Sequence, residues 1–215
     1  MFRGSPAKAS VEHAVATPCG TLVAVFSRDE RLYTHRIEMR RGPVEPVVLL
    51  RAASGRDPQN PDSPPLHGLN VDDLGYSPRP LPTQAKLIGV STDRSWKVAL
   101  GPDPLADDRL LYEASCRLAT AAPEVRSSYH TPRARLLSGS SQAATFRTAG
   151  VCWTLRLRNE VEATRSPFCR IELPNTLAWN SRPAVAVVAE PAISDQPPMK
   201  LSWRFEIALG DMRWP

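Results

Sequence analysis

The chain has 215 residues, of which 42% are apolar and 23% charged, and a net charge of +5. That length buries a core without help from metals or disulfides, and the composition is that of an ordinary globular chain, which excludes the disordered and membrane-embedded classes. Two features depart from the average: 22 prolines, and a basic complement in which only Lys8, Lys86, Lys97 and Lys200 are not arginine.

Residues 1–17 are small and polar and read as a flexible N-terminal arm ahead of a single domain over 18–215. The arm holds no apolar run of signal-peptide length, and no stretch approaches the roughly 20 residues needed to span a bilayer. A cytoplasmic, non-membrane protein is the expectation. The four cysteines, Cys19, Cys116, Cys152 and Cys169, form no CxxC pair and no cluster of zinc-ligand spacing, so no metal and no cofactor is expected.

Strand signals begin at Thr21–Phe26, a short apolar run. They continue over Arg31–Met39, where Tyr33, His35, Ile37 and Met39 alternate with Thr34, Arg36 and Glu38. Ser27–Glu30 reads as the turn between them, and Val44–Arg51 as a third strand. From 54 to 82 the pattern collapses into a long proline-rich loop, Pro58 to Pro82, which forbids helix and discourages a central strand; a short strand near Leu66–Val71 is the one interruption. Lys86–Val90 and Ser95–Leu100 form the next hairpin.

Arg109–Ala122 fits a helix capped by Asp107 or Asp108, but its alternation of Leu110, Tyr112, Ala114, Cys116 and Leu118 favours a strand. Val125–Thr131 reads as extended and Gly139–Ala144 as a small-residue loop. Phe146–Arg158 alternates again, and Phe168–Leu173 and Ala184–Ala189 are shorter strands. Lys200–Leu209 carries the clearest alternation, with Leu201, Trp203, Phe205, Ile207 and Leu209 on one face. The sum is an all-β fold: an antiparallel β-sandwich or flattened barrel of about ten strands, with at most one short helix.

No phosphate-cradling glycine motif and no hydrolase motif is present. Candidate chemistry therefore rests on clusters. In the long loop, His67, Asp72 and Asp73, joined by His35 from the sheet, are the residues an enzyme acting on a carbohydrate or similar polar substrate would use for acid–base work. The plain reading of His35 is a core histidine. Arg56 and Tyr76 of the loop, and Trp179 in a turn-rich stretch, are candidate ligand contacts. Arg156, Arg158 and Arg170 project from polar faces and would make an anion-binding patch if their strands were neighbours. They belong to the segment Arg133–Arg182, which carries eight arginines against three acids. The aromatics near them, Trp153 and Phe168, have core parity and could not stack on bases, which argues against nucleic acid. The leading expectation is a non-catalytic module for a small polar ligand or a protein partner, with the enzyme as its alternative. The long amphipathic C-terminal strand adds self-association as a third expectation.

Overall fold

The computed structural model describes residues 10–29, 31–53, 64–72, 84–122, 124–158, 168–173, 185–191 and 196–210. These residues form fifteen strands and no helix. The strands are β1 (Ser10–Ala16), β2 (Leu22–Asp29), β3 (Leu32–Met39), β4 (Val47–Ala52), β5 (Leu66–Asp72), β6 (Gln84–Val90), β7 (Arg94–Pro102) and β8 (Arg109–Leu118) in the first half of the chain. The second half supplies β9 (Val125–His130), β10 (Arg135–Gly139), β11 (Ala143–Thr148), β12 (Val151–Leu157), β13 (Phe168–Glu172), β14 (Val185–Glu190) and β15 (Met199–Leu209). No helix among the described residues is long and apolar enough to cross a membrane.

All-β and antiparallel character stand as expected; the sandwich does not. The strands form one antiparallel sheet, curled into a half-barrel, in the order β10-β11-β12-β15-β8-β7-β6-β5-β3-β4-β9-β14-β13. β3 branches this path. Its one edge pairs with β2 along the whole strand, and its other edge takes β5 at Tyr33 and β4 from Arg36 onward. The two ends of the path approach each other, because the Ile171 N–H donates to the Ser141 carbonyl at 2.7 Å. Alternation requires only that each strand have a dry side and a wet side, and a curled single sheet meets that as well as two stacked ones.

The extra strands come from three places. Ser10–Ala16, expected in the arm, pairs with β2. Arg135–Gly139 pairs with β11, so the small-residue loop is reduced to Ser140–Gln142. The run over Phe146–Arg158 is broken into two strands by a two-residue hairpin at Ala149-Gly150. Both residues have positive φ, 48° and 80°, and Thr148 pairs with Val151 across the turn. Positive φ at both central residues is the type I′ geometry, whose twist matches that of the strands it joins. Smaller shifts occur at β2, which runs on to Asp29, and at β4, which starts only at Val47 after Pro46.

The core fills the concave side. Trp96, Tyr112, Trp153, Trp203 and Phe205 are each 3% exposed or less. Phe146 stacks on Trp153 with centroids 4.5 Å apart, and Trp96 meets Trp203 edge-on at 6.0 Å. The Trp153 indole donates to Thr148 Oγ1 at 3.0 Å, which satisfies its one polar atom beside the hairpin. Arg109–Leu118 is a strand, as its alternation favours. β15 is central, between β12 and β8, so its apolar face belongs to the core and not to an open edge.

Candidate anion-binding face

Period-two alternation puts the apolar residues of β6, β7, β8, β15, β12 and β11 inward and turns the intervening positions to the convex side. Those outward positions hold Lys86, Lys97, Arg109, Arg117, Lys200, Arg204, Arg156 and Arg147, and only two acids, Glu113 and Glu206. Arg117 lies directly across from Lys200, and Lys97 directly across from Ser115. Lys97, Arg117, Lys200 and Arg147 are exposed and meet no carboxylate among the described residues. Like charges on one low-dielectric wall reinforce each other's potential toward solvent. Two exposed apolar side chains of β6, Ile88 and Val90, lie on the same side, with Ile88 across from Lys97.

The two acids are already occupied. Glu113 takes Arg204 at 2.5 Å. Glu206 is 2% exposed and is held by Arg158 Nε at 2.7 Å, Arg109 Nη1 at 3.5 Å and Arg156 Nη1 at 3.7 Å. Arg158 also pairs with Asp103, whose other oxygen accepts the Leu105 N–H at 2.9 Å. A buried carboxylate is tolerable only with such partners, since an uncompensated one would cost several kcal/mol. Arg158 is thus committed to holding Glu206 and Asp103. Arg156, with a side chain 59% exposed and only the 3.7 Å contact, keeps its guanidinium open to solvent.

The structure brings Arg156 and Arg158 together and leaves Arg170 apart. β12 and β13 lie at different stations of the sheet and share no ladder. Arg170 is enclosed by Glu190, Glu172 at 2.6 Å and Glu124 at 3.3 Å. The hydrogen bonds it donates to Glu190 and Glu172 push its pKa up. Arg126 closes the network through Glu124 and Glu172, so that end of the sheet presents paired charge. Phe168 is a correction: it is 62% exposed, because it shares the parity of Arg170 and not that of Cys169 and Ile171. Trp153 is fully buried, as its parity implies.

The two histidines of the enzymatic alternative lie on different sides of the sheet. His67 is exposed, with Nε2 3.2 Å from the Val90 carbonyl oxygen. His35 is buried among Phe26, Tyr112 and Tyr129, with ring centroids 5.6 to 6.2 Å away. Its Nδ1 has no hydrogen-bond partner among the described residues, and burial lowers its pKa to about 4. The hydroxyls of Tyr112 and Tyr129 and Ser127 Oγ are buried beside it without well-formed hydrogen bonds. Burial raises both tyrosine pKa values, and the three hydroxyls lie close enough to act on one another. Asp72 closes β5, whereas Arg56, Asp73, Tyr76 and Trp179 lie outside the described residues. Among the described residues no group of three His, Cys, Asp or Glu side chains could hold a metal ion.

Sequence reasoning named Arg156 and Arg158 but passed over Lys97, Arg117 and Lys200. The signal was available: each sits one position from a core residue in a strand of clear alternation. What composition along the chain does not reveal is that these strands are adjacent. No protein-family model matches the chain, and comparison with curated proteins gives no match either.

Proposed function

We propose that the protein is a non-catalytic binding module whose convex sheet face takes an acidic segment of a partner protein. The observation that supports this reading is the surplus of lysine and arginine at outward positions of six adjacent strands, where both acids are already ion-paired. The exposed Ile88 and Val90 give such a partner apolar contacts within the basic field. No aromatic side chain stands among those outward positions to stack on a base, so a protein polyanion suits the face better than a nucleic acid. Cys19, Cys116 and Cys152 carry free thiols, which suits a reducing compartment such as the cytoplasm. Nothing in the placement of His35 and His67 favours the enzymatic alternative.

The test is titration calorimetry with a polyglutamate peptide, run at two salt concentrations, on the wild type and on a Lys97→Glu/Arg117→Glu/Lys200→Glu variant. The expected result is binding that weakens with salt and falls by about tenfold or more in the variant, in line with the effect of reversing charges at an electrostatic interface. Salt-independent binding, equal binding by the variant, or no binding would overturn the reading. Stronger binding of a single-stranded oligonucleotide than of polyglutamate would replace the proposed partner class.

A further inference from the structure

Outward positions of β6, β7, β8 and β15 line up in two rows across the convex face. One row runs Val90, Ser95, Arg117, Lys200, and the other Ile88, Lys97, Ser115, Ser202. Lys97, Arg117 and Lys200 are exposed, as are Ser95 and Ser202, and Ser115 is half-buried. No hydroxyl of these serines has a hydrogen-bond partner among the described residues. Side chains directly across a ladder stand about 5 Å apart at Cβ and diagonal ones about 7–8 Å. The long stems of Lys97 and Lys200 therefore reach, from either side, the space over Ser115 and Arg117 on β8. Arg117 and Lys200, directly across from each other, repel. The carboxylates that border the rows do not relieve them. Asp93, in the turn before β7, pairs with Arg94 at 3.8 Å and accepts from Thr120 Oγ1 at 3.1 Å. Glu113, the next outward position along β8, is held by Arg204.

We infer that these two rows are a phosphoryl anchor: the acidic segment of the partner carries a phosphorylated side chain, whose dianion sits over β8 among Lys97, Arg117 and Lys200. This deepens the reading above and rests on it. The wider basic face attracts any acidic segment, and the anchor selects the phosphorylated one. The count of donors and charges supports the choice. A carboxylate brings one charge and two oxygens, whereas a phosphoryl group brings nearly two charges and three acceptor oxygens. Around β8 the protein offers a guanidinium, two ammonium groups and the hydroxyls of Ser95, Ser115 and Ser202, which is more than one carboxylate can accept and matches a dianion. The two ends of the rows differ, and that difference sets the direction of the partner. Ile88 and Val90 on β6 are 57% and 63% exposed and stand two strand spacings from β8, about 10 Å. Roughly three residues of extended chain cover that distance, so an apolar residue about three positions from the phosphorylated one is the sequence that fits.

The probe is a synthetic acidic peptide of about ten residues with one phosphoserine and a valine three positions to either side of it. Its control is a peptide of equal net charge in which glutamates replace the phosphoserine. The expected result at one salt concentration and pH 7.5 is about tenfold tighter binding of the phosphopeptide. That preference should shrink toward one in a Ser95→Ala/Ser115→Ala/Ser202→Ala variant of unchanged melting temperature, which keeps every cation of the face. Equal binding of the two peptides by the wild type, or a preference that the alanine variant retains in full, overturns the anchor. If polyglutamate still binds and the Lys97→Glu/Arg117→Glu/Lys200→Glu variant still loses it, the convex-face reading survives that outcome. Loss of binding by every peptide overturns both. Inorganic phosphate that binds as tightly as the phosphopeptide would assign the rows to the free ion and overturn the phosphorylated partner.

Discussion

At the residue scale, His35 has the sharpest consequence. Its ring is held neutral by burial, with a pKa near 4 in place of 6.5. In the unfolded chain the same ring takes a proton as pH falls below 6.5. Stability contributed by the neutral ring is therefore intact above about pH 6.5 and is lost progressively toward pH 4, by a total of about 3 kcal/mol. Denaturant unfolding at pH 7 and pH 4.5 should show this drop, and His35→Phe should flatten it. The Phe variant also removes an unpartnered buried nitrogen, so its stability at pH 7 should match or exceed the wild type. A His35→Phe protein with the full acid sensitivity of the wild type would show that other groups carry it. The role of His35 as a core residue was legible from its parity with Tyr33, Ile37 and Met39 alone. The aromatic enclosure was not, because Phe26, Tyr112 and Tyr129 come from β2, β8 and β9.

At the scale of elements, alternation located nearly every strand whose residues have side chains to alternate. Tyr33 to Met39, Leu110 to Leu118 and Leu201 to Leu209 have the faces that their sequences imply. The misses have physical reasons. β10 sets two leucines side by side, Leu136 and Leu137, at a register shift, and the start of β11 is Ala143-Ala144, so neither shows a clear period. The Ala149-Gly150 turn hides because the residues on either side of it keep core parity, with Thr148 and Val151 both buried. That turn yields a prediction. Alanine in the left-handed region is disfavoured by about 1–2 kcal/mol, whereas Asn-Gly is the preferred pair for a type I′ turn. Ala149→Asn should raise stability by about 1 kcal/mol, read as a higher melting temperature. An unchanged or lower value would mean that the hairpin does not adopt this geometry.

At the scale of the whole molecule, one curled sheet shares one apolar interior, from Val15 of β1 to Ile207 of β15. Such a core should unfold in a single cooperative step. Tryptophan fluorescence, to which Trp96, Trp153 and Trp203 on the β7–β15–β12 side contribute together with Trp179 and Trp214, and far-UV circular dichroism should give the same midpoint. Separate midpoints would show that the two arms of the sheet melt independently. Strand order is what the sequence could not supply, since β15, last in the chain, closes the gap between β12 and β8. The candidate face depends on that insertion: it sets Arg156 across from Glu206 and Lys200 across from Arg117.

The alternation of β7, β8, β12 and β15 also bears on how this protein could change over time. Lys97, Arg117 and Lys200 point away from the interior, so substitutions there alter what the surface attracts while leaving the packing beneath untouched. Arg109, Arg156 and Arg158 are different, because they share the buried carboxylate of Glu206 and losing them strands a charge. The convex side thus combines freely exchangeable positions with a locked triad, and partner preference can drift at the former only so long as the latter stays in place.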